Sequence, residues 1–256
     1  MAVFAGQVPE TYDRFMGPIF FEPYAEDLDA RLPHDPSLRV LELACGTGIL
    51  TRRLRDRRLV ATDLNPPMLA RAAAKLPDVD FRQADALHLP FDDASFDAVV
   101  CQFGAMFFPD KVAAFREARR VLAPGGVFLF NVWGSLDDNL LSKDVAGVIA
   151  SFFPSNPTNF YDLPFGYHDG DAIAAALAEA GFDAKVERVV RPSGPTSARD
   201  AAVALVQGSP IVDQIAARGG DVERITDAAE QAIRERFGDP VQSTMTALVC
   251  TCRLPS

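Results

Sequence analysis

The sequence predicts a single α/β domain built on a mainly parallel sheet. Between residues 39 and 135, short apolar runs alternate with segments whose apolar residues recur at helical spacing. Such alternation is typical of strand–helix–strand units, whose consecutive strands run parallel. A chain of 256 residues, 48% of them apolar and 23% charged, can bury one large core and has the composition of an ordinary folded protein.

Seven apolar runs are predicted as strands. They cover residues 39–43, 59–62, 80–83, 96–101, 127–132, 184–190 and 245–252. Helices are predicted over residues 49–56, 66–76, 112–122 and 169–180, and 199–237 is helical in composition. Pro66 and Pro67 suit the first turn of a helix, because the N–H that proline lacks has no partner there. The triplet Pro124-Gly125-Gly126 is predicted to stop the third helix before the fifth strand.

These elements divide residues 1–256 into a core and caps of one domain. We predict a core at about 38–133, 169–191 and 241–254, and caps at about 1–37, 134–168 and 192–240. The first two caps are rich in aromatic residues, namely Phe4, Tyr12, Phe15, Phe20, Phe21 and Tyr24, then Phe152, Phe153, Phe160, Tyr161, Phe165 and Tyr167. If several of them converge over the carboxyl ends of the strands, they form a water-poor pocket for a small apolar or aromatic molecule.

Charge and composition exclude several kinds of partner. A formal charge of −10 disfavours binding to a nucleic-acid backbone. The arginines between positions 52 and 58 are predicted to be solvated at a helix end. With neither a membrane-length apolar run nor a secretory signal in residues 1–10, we expect no integral membrane association and a cytoplasmic monomer or homodimer. The four cysteines lack zinc-type spacing, so we expect buried, reduced thiols and no metal site.

The first predicted strand ends in a glycine turn. Residues 42–48 read Glu-Leu-Ala-Cys-Gly-Thr-Gly, and Gly46 and Gly48 allow a tight turn and the close approach of a ligand. Ligands of parallel sheets bind at the carboxyl ends of the strands. By itself this pattern also fits a dinucleotide-binding dehydrogenase.

Two residues near the turn favour a cationic ligand over a dinucleotide. A dinucleotide fingerprint has a third glycine where this chain has Thr51, since helix and strand pack closely there. Glu42 stands just before the turn, and its carboxylate would repel a pyrophosphate but attract a sulfonium or an amino group. The surroundings of the turn therefore favour a positively charged ligand.

Two further carboxylates follow the next two strands. Asp63 ends the second strand, where it can accept hydrogen bonds from two ribose hydroxyls. NAD and S-adenosylmethionine both carry that ribose. Asp85 follows the third strand, where it can accept a hydrogen bond from an adenine amino group, and such a residue is less expected of a dehydrogenase.

Five ordered motifs resemble those of the class I methyltransferases, especially the small-molecule group that includes the ubiquinone and menaquinone methyltransferases. They are residues 41–48, Asp63, Asp85-Ala86, residues 96–99 and residues 121–126, and the resemblance covers about half the chain. It implies an α/β, three-layer Rossmann-like sandwich with a mostly parallel seven-stranded sheet, an antiparallel last strand and helical cap insertions. It also implies S-adenosylmethionine as cofactor and S-adenosylhomocysteine as product.

The resemblance further implies which residues bind this cofactor. Gly46 and Gly48 border the methionine moiety, Asp63 holds the ribose, and Asp85 with Ala86 faces the adenine. Leu64 and Met68 pack against the adenine, Gln102 and Phe103 lie near the methionine part, and Tyr12 belongs to a segment that folds over the ligand. The predicted cofactor-binding set is Tyr12, Glu42, Ala44, Gly46, Thr47, Gly48, Asp63, Leu64, Met68, Asp85, Ala86, Gln102 and Phe103.

The expected activity is methyl transfer to a small, apolar or aromatic acceptor by in-line displacement, in which alignment in a dry site supplies much of the acceleration. The sequence identifies neither the acceptor nor whether its O, N, C or S is methylated. His168, at the end of the second cap, is the one candidate for a general base. Two alternatives stay open, an NAD(P)-dependent oxidoreductase on a similar sheet and a non-catalytic adenosylmethionine-binding protein.

Overall fold

The computed structural model describes residue 6 and residues 8–254. Within them the sheet consists of β1 Arg39–Glu42, β2 Arg58–Asp63, β3 Asp80–Gln83, β4 Phe96–Gln102, β5 Leu122–Trp133, β6 Asp183–Pro192 and β7 Thr244–Arg253. The strands lie in the order β3-β2-β1-β4-β5-β7-β6. Strands β1 to β5 pair in parallel, and β7 runs antiparallel to β5. The predicted seven-stranded, mostly parallel sheet is confirmed.

Helices connect the strands and fill the three remaining segments. They are α1 Val8–Thr11, α2 Glu22–Ala30, α3 Thr51–Leu54, α4 Pro66–Lys75, α5 Lys111–Val121, α6 Leu140–Ser151, α7 Asp162–Phe165, α8 Gly170–Glu179, α9 Ala198–Gln207, α10 Ile211–Ala217 and α11 Val222–Phe237. A π-helical segment, Tyr12–Phe21, links α1 to α2. At the start of α4, the two prolines open the helix, as predicted, and the structure adds a cap in which the Asn65 side chain accepts a hydrogen bond from Met68 N.

The described residues fall into two compact units. The first takes them from Met1–Tyr24, Ser135–Gly166 and Val190–Thr246, and in it α9 packs against α11 and the π-helical segment. The second takes them from Ala25–Gly134, Tyr167–Val189 and Ala247–Ser256 and contains most of the sheet. Phe4, one of the predicted cap aromatics, lies outside the described residues. The single-domain organisation stays a prediction.

The core of the second unit lies on the central strands. Phe128 and Phe130 of β5 are fully buried, and the ring centroid of Phe115 from α5 lies 5.3 Å from that of Phe130. The four cysteines, Cys45, Cys101, Cys250 and Cys252, are free and buried, as the sequence predicted. Burial raises the pKa of the Cys101 and Cys250 thiols to about 12, so both stay protonated.

Two predicted boundaries are wrong, for local reasons. The helix expected over residues 49–56 is limited to α3, because a tight turn with a hydrogen bond from Arg57 N to Leu54 O, 3.0 Å, follows its last residue. The triplet Pro124-Gly125-Gly126 does not end α5, which stops at Val121, but lies inside β5. There the β4–β5 register shifts between Phe96 and Ala98, so the triplet forms a bulge that tolerates a proline.

The expected solvation of the arginines between positions 52 and 58 holds only in part. Arg52, Arg55 and Arg58 are exposed, as predicted. Arg57 is buried, and its Nη1 lies 2.9 Å from Oδ1 of Asp29. A buried guanidinium needs such a partner, and α2, which supplies it, is distant in sequence.

Candidate functional site

The glycine turn lies at the carboxyl end of β1, between β2 and β4. Leu43 N donates to Val100 O over 2.8 Å, and Cys45 N donates to Thr62 O over 2.9 Å, so the turn is tied to both neighbouring strands. Ala44, Gly46 and Gly48 have φ angles of 51°, 57° and 85°, all in the left-handed region. Glycine adopts this region freely, whereas Ala44 is strained, and such strain is concentrated at functional sites.

Asp63 joins the end of β2 to this turn. Its Oδ2 accepts a hydrogen bond from Gly46 N and its Oδ1 accepts one from Asn65 N, each over 2.8 Å. Burial raises the pKa of Asp63, and these backbone donors offset part of that rise. A carboxylate oxygen can accept more than one hydrogen bond, so both oxygens keep capacity for a ligand hydroxyl.

Glu42 is buried at the end of β1, behind the turn. Burial raises the pKa of Glu42 to about 8, and the proximity of Asp63 adds to the rise. Within the described residues, Oε2 of Glu42 and the hydroxyls of Thr47 and Thr51 are buried and make no hydrogen bond. A buried acid with a strongly raised pKa beside a backbone turn is a feature of ligand sites.

The predicted adenine-side residues lie at the ends of β2 and β3, which are adjacent. Leu64 directly follows Asp63 and is 39% exposed, an exposure that Leu140 and Leu163 also show among the described leucines. Met68 is buried, and its Cε lies 3.7 Å from the position that a Cβ on Gly46 would occupy. Oδ1 of Asp85 accepts a hydrogen bond from Leu87 N over 2.9 Å, and Ala86 is buried.

The end of β4 brings Gln102 and Phe103 to the same edge of the sheet. Gln102 is the last residue of β4, and Phe103 follows with a left-handed φ of 51°. A Cβ added to the next residue, Gly104, would lie 2.4 Å from Cβ of Ala44, so the loop after β4 touches the turn after β1. A glycine is therefore required at position 104.

Sequence reasoning missed three residues of this edge. They are Gly104, Asn131 and Trp133. Asn131 is fully buried in β5 and its Oδ1 accepts a hydrogen bond from Phe103 N over 2.9 Å, while the Phe103 and Trp133 rings stack 3.8 Å apart. A lone amide within the apolar run of residues 127–132 was the available signal for Asn131.

The two remaining predicted residues belong to other elements of the chain. Tyr12 belongs to the π-helical segment of the first unit, where its ring stacks on Phe21 with centroids 4.9 Å apart. His168 is exposed just before α8 in the second unit, and its role as a base stays a prediction. Among the described residues, no group of three His, Cys, Asp or Glu side chains could hold a metal, and none of the described helices could span a bilayer.

Comparison with known proteins identifies the family. Residues 41–130 match the family described as a methyltransferase domain. A demethylmenaquinone methyltransferase of Thermus thermophilus is 48% identical over 34% of this chain and 44% of its own length. The malonyl-[acyl-carrier protein] O-methyltransferase of Geobacter sulfurreducens is 31% identical over 82% of this chain and 81% of its own length. The chain thus spans less than half of the Thermus relative but most of the Geobacter one.

These matches show that the chain belongs to the class I S-adenosylmethionine-dependent methyltransferases. Within that class it is similar to the quinone methyltransferases, as the sequence motifs implied. The solved structure of Haemonchus contortus phosphoethanolamine N-methyltransferase 2 has a TM-score of 0.61 at 18% identity, covering 97% of this chain and 57% of that chain. At that identity the likeness concerns the fold alone, and it agrees with the Rossmann-like sandwich expected from the sequence.

Proposed function

We propose that this protein binds S-adenosylmethionine at the carboxyl ends of β1 to β4 and transfers its methyl group to a small, apolar or aromatic acceptor. The observation that carries the proposal is the linked pair of acids around one glycine turn. Asp63 anchors the turn through Gly46, and Glu42 lies buried behind it with Oε2 unpaired among the described residues. Family membership supplies the cofactor and the reaction class.

The residues at this edge fit that cofactor. A ligand with positive charge, such as a sulfonium or an α-ammonium group, would stabilise the ionised form of the buried Glu42 carboxyl, whereas a pyrophosphate would not. Both oxygens of Asp63 keep hydrogen-bonding capacity for the two ribose hydroxyls. Leu64 offers an exposed apolar surface beside Asp63 for the adenine ring.

When bound, S-adenosylmethionine supplies an activated methyl group on a sulfonium. The chain's own residues then act by binding and orientation. Asp63 fixes the ribose, the turn at Gly46 and Gly48 lets the backbone come close, and Phe103 with Gln102 borders the reacting end. Alignment of this kind can supply about 7–11 kcal/mol of the barrier for a well-placed nucleophile.

The proposed acceptor is a small molecule with an apolar or aromatic body. The named relatives are a demethylmenaquinone methyltransferase and a malonyl-[acyl-carrier protein] O-methyltransferase, so one family serves acceptors of different chemistry. A screen of acceptors would identify which atom of the acceptor is methylated. In the proposal, His168 serves as base only for an acceptor that must lose a proton.

The proposed setting is cytoplasmic, as a monomer or homodimer without a nucleic-acid partner. A formal charge of −10 disfavours a phosphate backbone. Four free, buried cysteines suit a reducing compartment. The NAD(P)-dependent alternative gains no support, because Thr51, fully buried in α3, occupies the position where a dinucleotide fingerprint has its third glycine.

Calorimetry with three ligands tests the proposal. We expect S-adenosylmethionine and S-adenosylhomocysteine to bind to the wild type and NAD not to bind, with binding lost or greatly weakened in Asp63→Ala. A screen with labelled methyl donor should then find transfer to quinone-like phenols or acyl thioesters. Binding of NAD alone, or of none of the three, would overturn the methyltransferase function. Tight cofactor binding without any transfer would favour the non-catalytic alternative.

A further inference from the structure

Phe103 has an unusual backbone for a bulky residue. Its φ of 51° lies in the left-handed region, directly after the last residue of β4, and its side chain is buried. A non-glycine residue keeps such a conformation only where its surroundings enforce it. The cause of this strain therefore lies in the contacts of Phe103.

Asn131 supplies those contacts from β5. Phe103 N donates to Oδ1 of Asn131 over 2.9 Å and also to the backbone oxygen of Asn131 over 3.2 Å. Asn131 pairs with Gln102 in the sheet, so its position relative to the end of β4 is fixed. One residue thus presents two acceptors to the first N–H beyond β4.

The ring of Phe103 is fixed by the next residue on the same face of β5. Trp133 stands two positions after Asn131, so both side chains lie on one face of the strand. The Phe103 and Trp133 rings stack with centroids 3.8 Å apart and an interplanar angle of 17°. Asn131, Phe103 and Trp133 form one cluster, which we name the aromatic wall.

The amide of Asn131 is poorly explained as a packing element. It is fully buried in a strand that is otherwise apolar from Val127 to Val132, and within the described residues its Nδ2 makes no hydrogen bond. Burying an amide with an unpaired donor is unfavourable, so an apolar residue would serve the strand better. The hydrogen bond to Phe103 is what distinguishes asparagine at this position.

The aromatic wall adjoins the glycine turn. A Cβ on Gly104, the residue after Phe103, would lie 2.4 Å from Cβ of Ala44 in the turn. We propose that Asn131 is a positioning residue, which holds Phe103 against Trp133 so that the aromatic wall borders the cofactor. The inference rests on the proposed function, because the wall needs a ligand at this edge. Aromatic faces attract a sulfonium or ammonium group through their negative potential.

Trp133 gives this inference a direct signal, because it is the chain's single tryptophan. Its fluorescence therefore reports the stack with Phe103 without interference from a second indole. In Asn131→Ala we expect the emission of the free protein to move to longer wavelength, as the stack loosens. We also expect calorimetry to show S-adenosylhomocysteine binding about tenfold weaker, or about 1.4 kcal/mol.

Val132→Ala is the matched control. Val132 is the adjacent residue of β5, equally buried, and its side chain lies on the opposite face of the strand. This variant should lose thermal stability yet keep wild-type affinity and emission. Unchanged affinity in Asn131→Ala, or an equal loss in Val132→Ala, would overturn the positioning role while the proposed function stands. A wild type that binds no S-adenosylhomocysteine would overturn both.

A second variant covers the case in which Asn131→Ala does not fold. Phe103→Gly relieves the left-handed strain while it removes the ring, so the chain should fold and the affinity should fall. Adding Asn131→Ala to Phe103→Gly should cause no further loss of affinity, because the ring that Asn131 positions is already absent. Additive losses in this double-mutant cycle would contradict the inference.

Discussion

Asp63 and Gly46 are joined by a 2.8 Å hydrogen bond from the backbone N–H of the glycine to Oδ2 of the carboxylate. One side chain at the end of β2 therefore shapes the turn after β1 and lies at the edge where we propose that the cofactor binds. The relationship couples the conformation of the turn to the group proposed to hold the ribose. A change at Asp63 should affect both stability and binding.

Substitution of Asp63 should lower both the affinity for the cofactor and the stability of the fold. Asp63→Ala removes the acceptor of two backbone N–H groups and of the ribose hydroxyls. Hydrogen bonds to charged groups contribute about 1.5–3 kcal/mol each, so loss of the two ribose hydrogen bonds should lower the affinity for S-adenosylhomocysteine at least about 150-fold, with a lower melting temperature. Asp63→Asn keeps one side-chain oxygen, so its affinity and its melting temperature should lie between those of Asp63→Ala and the wild type. Calorimetry and thermal unfolding measure the two effects.

The control for Asp63 is Asp56→Asn. Asp56 is exposed at the other end of β2, with 89% of its side chain accessible, so its neutralisation changes the net charge equally but leaves the turn intact. It should bind S-adenosylhomocysteine like the wild type. Equal losses in the two asparagine variants would assign the effect to net charge.

Glu42 should make the protein less stable as the pH rises. Burial raises the pKa of Glu42 in the folded chain to about 8 from an ordinary value of 4.5. Between these two values the folded state holds the proton more tightly than the unfolded state, so the free energy of unfolding falls as the pH increases and levels off above pH 8. The total decrease in the free energy of unfolding from this group is at most on the order of 5 kcal/mol.

Glu42→Gln tests directly whether ionisation of Glu42 lowers the stability at high pH. The variant cannot ionise, so urea unfolding at pH 9 should find it more stable than wild type, with little difference at pH 5. At pH 9, where the wild-type Glu42 is ionised, the affinity of the variant for S-adenosylmethionine should nevertheless be lower, because the negative charge near the cation is lost. Glu179→Gln, at an exposed position, is the control and should follow the wild type at both pH values. A Glu42→Gln variant less stable than wild type at pH 9 would contradict the assigned cause.

Two glycines with similar backbone angles should respond differently to alanine. Gly48 has φ 85°, and a Cβ there would lie 3.3 Å from Ala72 Cβ and from Leu76 Cδ1. Gly125 has φ 80° and no atom within 4 Å of the added Cβ. Gly125→Ala should lower the free energy of unfolding by about 1–2 kcal/mol, because a non-glycine residue is strained in the left-handed region. Gly48→Ala should cost about 1–3 kcal/mol more through crowding. Urea unfolding measures both, and equal losses would contradict the packing argument.

Leu64 should contribute to binding more than to stability. It is 39% exposed beside Asp63, and we expect the adenine to cover it. Leu64→Ala should weaken S-adenosylhomocysteine binding by about 1 kcal/mol, or about fivefold, since part of a leucine side chain loses its apolar burial. The melting temperature should change little. Leu163→Ala, 41% exposed in the first unit, is the control and should leave the affinity unchanged, as measured by calorimetry.

Local patterns predicted the strands and the glycine turn well. Residues 80–83 form β3 with the expected bounds, and the Pro66-Pro67 helix start was expected from its chemistry. Such features depend on a few adjacent residues, so they can be predicted from the sequence alone. The bulge at Pro124-Gly125-Gly126 was missed because it depends on pairing with β4.

Contacts between distant residues could not be read from the sequence. The bond from Phe103 to Asn131 crosses from the end of β4 to the middle of β5, and no local period indicates it. The close approach of Gly104 and Ala44 is likewise not indicated by any local pattern, because it arises only when the ends of β1 and β4 lie side by side in the sheet. The roles of the predicted cofactor residues stay predictions until the variants are measured.

The position of β7 has a consequence for the nascent chain. β7 lies between β5 and β6, and it pairs with β5 from Val127 to Trp133. During synthesis the apolar β5 leaves the ribosome long before residues 244–253 exist, so one of its edges waits unpaired. Such an edge is a template for pairing with another chain. Translation speed and chaperone access over residues 134–243 therefore bear on how much of this protein reaches its native state.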